Sequence, residues 1–115
     1  MLYVSTHKIG ISVRLVMVGT LDSDDLPAWN EAFTAVGFRD AEIRLVVTRL
    51  WQADENAFHV IRHQVSQMRQ LGTRCLWSGA DKNLTIQLQR VGERAYIRIP
   101  DGNDLKAADN WVSKI

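Results

Sequence analysis

The spacing of apolar residues along this chain switches repeatedly between a period of two and a helical period, and that alternation limits the fold more than any other feature. Ile11-Ser12-Val13-Arg14-Leu15-Val16-Met17-Val18 alternates and predicts a strand that ends at Gly19. Leu2 to His7 predicts a shorter strand before it, with Gly10 at the turn between the two. Ser12 and Arg14 oppose Ile11, Val13 and Leu15, so this part of the strand is expected to have one dry face and one that meets water.

Leu26, Trp29, Phe33 and Val36 have helical spacing and follow the acidic run Asp22-Ser23-Asp24-Asp25, which suits the positive end of a helix. Pro27 is tolerated only where its missing amide proton has no intrahelical acceptor, which sets the cap at Asp24 or later. Glu42 to Arg49, with Ile43, Leu45, Val46 and Val47, predicts a central strand. Asp54 to Leu71 predicts a second helix that buries Ala57, Ile61, Val65, Met68 and Leu71 and stops at Gly72. Arg74 to Ser78 is a short strand, Leu84, Leu88 and Val91 propose a third helix, and Tyr96 to Ile99 a last strand. Leu105, Ala108, Val112 and Ile115 propose a closing helix. Strands and helices in this order imply parallel pairing through right-handed crossovers, preceded here by an antiparallel pair. The expectation is one α/β sandwich over residues 1–115, with a mixed, mostly parallel sheet of four to five strands and about four helices.

With 115 residues, 46% of them hydrophobic, the chain can build one core that needs neither metal nor disulfide. Fourteen Lys and Arg against 13 Asp and Glu leave a net charge of +1, which argues against nucleic acid as a main partner. Cys75 has no second cysteine to pair with, and Met1 to Lys8 lacks a basic stretch followed by a long apolar one, so a cytoplasmic protein is expected. The longest clean apolar run near the start, Leu15 to Val18, is far too short to span a bilayer.

No residues form a nucleophile, base and orienting group, and no glycine pattern cradles phosphate, so neither an enzyme nor a nucleotide-bound cofactor is expected. His59 and His63 are four apart, but the segment lacks the glutamate of zinc-hydrolase helices and carries Arg62, so no metal is assigned. Cys75, in a short strand with Leu76 and Trp77, reads as packing, as do Trp29 and Trp111. His59, Arg62, His63, Ser66, Arg69 and Gln70 share one stripe of the second helix, a locally basic face that is either solvated surface or a partner contact. Trp51 precedes that helix, where an aromatic side chain is either an interface anchor or buried under the helix.

Three segments resemble, in order, the STAS domain family, to which the anti-sigma factor antagonists of bacteria belong. Gly19-Thr20-Leu21-Asp22 leading to Pro27-Ala28-Trp29 is similar to the family's G-x-L-D turn and first helix. Arg44-Leu45-Val46-Val47 and then Leu50 to Phe58 resemble its strand and D-S-S-G-L loop. Leu71 to Gly79 and Leu88 to Gly92 resemble its late strand and helix. The resemblance implies a single STAS-like domain acting as a non-catalytic protein-binding switch in signalling, whose serine at the start of the second helix is phosphorylated by a partner kinase. Aligned from Asp54, Glu55 takes the place of the first serine, Asn56 that of the usually phosphorylated second one, and Ala57 that of the glycine. Asn56 cannot accept a phosphoryl group as serine does, so a fixed acidic or polar docking tip is expected in place of the switch. The expected partner-binding residues are Trp51, Asp54, Glu55, Asn56, Ala57, His59, Arg62, His63 and Arg69. The partner implied is an anti-sigma factor of the serine-kinase type. The alternative is a structural subunit of a stress-signalling scaffold or a lipid-transport ABC complex, and a homodimer is one form the protein could take.

Overall fold

The computed structural model describes residues 1–36 and 42–112, the last three by backbone alone. Strand β1 (Leu2–Ile9) turns back through Gly10, at φ +61°, into β2 (Ser12–Leu21). A 3-10 turn, Ser23–Asp25, runs into α1 (Leu26–Val36), followed by β3 (Glu42–Ala53), α2 (Glu55–Gln70) and β4 (Arg74–Ser78). Helix α3 (Lys82–Arg90), the two-residue β5 (Ile97–Arg98) and α4 (Gly102–Val112) complete the chain. The sheet order is β1-β2-β3-β4-β5; only β1 and β2 are antiparallel. This is the mixed, mostly parallel sandwich that the alternation predicts.

Strands laid down in sequence order by crossovers of one hand place every crossover helix on one face. Accordingly Trp29 and Phe33 of α1, Phe58, Ile61 and Val65 of α2, and Leu84 and Leu88 of α3 join Leu15, Leu45 and Trp77 in one core. Helix α4, which follows the last strand, crosses to the opposite face and buries Ala107 and Ala108 against Val16, Val18 and Val46.

That second layer overturns the expectation of a wet face. Ser12 and Arg14 are both buried, Arg14 to 5% exposure, because α4 lies over them. Arg14 Nε donates to Asp104 at 2.9 Å and Arg14 Nη2 to Asp101 at 3.1 Å. Arg44 Nη2 and Ser78 Oγ reach the same Asp104 carboxylate, each at 2.7 Å, and Asp104 is fully buried. The closing helix therefore turns a different stripe inward: Leu105 is 47% exposed, and the carboxylate one residue earlier takes the centre of the contact. The expected core positions Trp111, Val112 and Ile115 lie outside the described side chains.

Other boundaries move for local reasons. Asp22 caps the 3-10 turn, with Asp25 completing a reciprocal box, so capping starts earlier than Pro27 alone implied. β3 continues to Ala53 because β2 pairs with it that far. The last strand shortens to Ile97–Arg98, and Ile99, next to Pro100, is exposed. Ile11 belongs to the hairpin turn and Leu71 to the end of α2, and both are exposed.

Removing the Asp104 carboxylate takes from Arg44 and Ser78 their carboxylate acceptor and leaves the buried Arg14 with Asp101 alone. Asp104→Ala is expected to cost about 3–5 kcal/mol, read by urea unfolding. Burial pushes the Asp104 carboxyl up, but the Arg44 and Ser78 hydrogen bonds, the Asp101 amide and the Arg44 charge together hold it below the ordinary aspartate value. Its contribution is therefore complete above the unfolded carboxylate pKa and is lost as pH falls through the lower folded value. Asp104→Asn should flatten that acid limb of the stability profile.

Candidate functional site

β3 outruns its neighbour. β4 accompanies it only to the Val46–Ser78 pair, while β2 holds it as far as Ala53. Gly79, at φ +77°, sits where β4 leaves β3: a Cβ there would run into the Thr48 methyl group. Along the overhang, Gly19 pairs with Leu50 and Thr20 with Gln52, so Trp51 is the extra residue of a bulge. Bulges re-aim side chains, and Trp51 is 68% exposed. Of its two expected placements, the exposed one holds.

The ladder closes where Asp54 N donates to Leu21 O at 2.7 Å, and the chain turns directly into α2. Asp54 is the N-cap: its Oδ2 accepts from Ala57 N at 3.1 Å. Its carboxylate is thus engaged by the helix start, and Glu55 and Asn56 are the exposed residues of the first turn. Ala57 and Phe58 face inward, Phe58 packing at 5.2 Å from the Trp77 ring, so Ala57 supports the tip from beneath instead of meeting a partner. His59 and His63 are exposed along α2, and Arg62 is partly buried, with an Nε that has no hydrogen-bond partner. Among the described residues, no three His, Cys, Asp or Glu side chains gather as a metal site.

Arg69 departs from its expected place on the docking face. Its Nη1 donates to both oxygens of Glu93, at 2.9 and 2.8 Å, its Nε and Nη2 donate to Cys75 O, and its guanidinium lies 3.4 Å from the centre of the Tyr96 ring. Glu93, itself buried, also accepts from Trp77 Nε1 at 2.9 Å. A guanidinium held on so many sides is an internal strut joining α2, β4 and the turn after α3. Beside it, burial pushes the Cys75 thiol up to about 11, which keeps it protonated near neutral pH.

Sequence reasoning missed a groove of about 370 Å³ between the β3 overhang and α3. Trp51, Gln52, Ile86, Gln87 and Arg90 line it. Gln87 Nε2 donates to Ala53 O at 3.3 Å, while Gln87 Oε1 is buried without a partner. The available signal was the polar stripe Asn83, Gln87 and Arg90, at helical spacing. The groove includes Trp51, so the bulge and α3 share one surface, which ends at Ala53, two residues before α2.

No protein-family model matches the chain, and no curated protein matches it in sequence. Solved structures match its fold along nearly its whole length. The anti-sigma factor antagonist SpoIIAA in its unphosphorylated form superposes with a TM-score of 0.74 at 13% identity, over 98% of both chains. An anti-sigma factor antagonist from Mycobacterium paratuberculosis gives 0.74 at 11% identity over 95% of both chains. Moorella thermoacetica RsbS gives 0.71 at 18% identity, over 96% of this chain and 97% of that one. The fold is thus the STAS fold.

The cap and the tip separate in a stability measurement. Asp54→Ala should cost about 1 kcal/mol through loss of the helix cap. Glu55→Gln, at an exposed position, should change thermal unfolding by less than about 0.5 kcal/mol.

Proposed function

We propose that this chain is a non-catalytic regulatory domain that binds a protein partner through the overhang of β3 and the first turn of α2. The observation that carries the reading is Trp51, turned out by a bulge to 68% exposure, on the strand that leads through Asp54 to the exposed Glu55 and Asn56. A large aromatic side chain held on a rigid strand is the kind of group that anchors an interface. Glu55 supplies charge at the positive end of the helix, where a phosphate would otherwise be favourable. Its carboxylate is permanent, and Asn56 offers no hydroxyl for phosphoryl transfer.

The fold likeness to anti-sigma factor antagonists supports a regulatory domain of this type, and the partner proposed is an anti-sigma factor of the serine-kinase type. His59, Arg62 and His63 extend the contact along α2, while Arg69 acts from inside. Docking here is constitutive: the tip carries the charge that phosphorylation would otherwise add and remove.

Affinity capture from the native cell, with identification of the bound protein, tests the reading. Trp51→Ala and Glu55→Lys should each weaken the captured complex by about tenfold or more, with unchanged circular dichroism. Incubation with the captured partner and ATP should leave the intact mass unchanged. Unaltered affinity in both variants, or stoichiometric phosphate in the tip, overturns the proposal; capture of an ATPase or scaffold transfers it to the structural-subunit role.

A further inference from the structure

The opposite border of the sheet is the edge of β1. β1 pairs with β2 along one side through eight uninterrupted pairs, and among the described residues no strand pairs with its other side. Two hydrogen bonds fix which backbone groups face outward. Met1 O accepts from Thr20 N at 3.0 Å, so Met1 points toward β2, whereas Leu2 N points away and donates to Asp25 Oδ1 at 3.0 Å. Because backbone direction alternates along an antiparallel strand, the N–H and C=O groups of Val4 and Thr6 face the open side. Proteins commonly blunt such an edge with proline, a bulge or a very short strand. β1 is eight residues long, contains no proline and keeps its register with β2 throughout; its protection lies at the two ends, where Asp25 takes the Leu2 amide and Lys8 adds a charge, and leaves Val4 and Thr6 open between them.

We propose that this edge pairs antiparallel with the β1 edge of a second copy of the chain, with Ser5 on the two-fold axis and Val4 of each copy opposite Thr6 of the other. Charge selects both the occupant and its direction. One end of β1 abuts the acidic turn Asp22, Asp24 and Asp25, and the other end carries His7 and Lys8. Antiparallel pairing of two copies brings Lys8 of each onto the Leu2–Asp25 corner of the other, whereas parallel pairing sets like charges together. Space is available on the helical side. A groove of about 400 Å³ runs between β1 and α1, lined by Val4, Thr6, Ala28, Glu31, Ala32 and Ala35. Directly opposed residues of an antiparallel pair share a face, so the second copy's Val4 and Thr6 come to the side of this groove, where the alanines of α1 leave room. The result is a closed, isologous dimer with one continuous ten-stranded sheet.

Sedimentation equilibrium from about 1 µM to about 1 mM tests this. The unaltered chain should show a monomer–dimer equilibrium that weakens as salt is added. Thr6→Pro removes an outward amide at a position where an edge strand tolerates proline, and it should raise the dimer Kd by about tenfold or more. Ser5→Cys should form an intermolecular disulfide under mild oxidation, since opposed residues at such a site lie about 4.5 Å apart at Cα. Should Thr6→Pro fail to fold, Ser5→Lys, which sets two ammonium groups face to face on the axis, must dissociate the dimer. A chain that stays monomeric at about 1 mM, or a dimer indifferent to these variants with no cross-link at Ser5→Cys, overturns the proposal.

Discussion

The carboxylate of Asp104 is the contact on which the two-layer architecture rests. It receives hydrogen bonds from Arg14 of β2, Arg44 of β3 and Ser78 of β4, and so ties α4 to three adjacent strands at once. Among the described side chains, the apolar contact on that face is made by two alanines and three valines, whereas the opposite core contains Trp29, Phe58 and Trp77. Paired charge is thus prominent among the described side chains on one side of the sheet and large apolar area on the other. A buried carboxylate between two guanidiniums adds little over an apolar contact of equal fit, but it specifies the seat of the helix, because any other placement strands three charges.

This division explains what could be read from the residues. Elements whose burial is apolar were legible. Trp29 and Phe33 announce α1, Ile61, Val65 and Met68 announce α2, and the glycines at positions 10 and 72 mark turns at positive φ. Elements whose burial is polar were not legible. Arg14 looks like a solvent-facing residue of a half-wet strand until Asp104, ninety positions later, is brought over it. Arg69 likewise fits a polar helical stripe, and only Glu93 and Tyr96 turn it inward. Periodicity detects residues that flee water singly; it cannot detect those that leave it in pairs.

The start of the second helix was legible in the sequence, and Asp54 is its cap. The bulge at Trp51 depends on the relative register of β2 and β3, a quantity no local pattern contains. The same register, with β4 ending early, leaves the open flank along which the groove lies.

That early ending traces to Gly79, which slides past the Thr48 methyl with no room for a side chain of its own. The sheet, both cores and the helix order would all survive in a relative with a larger residue there, yet the backbone leading into α3 would have to detour outward. The width of the cleft thus depends on a position that lacks a side chain altogether, two residues before Asp81 on the groove wall.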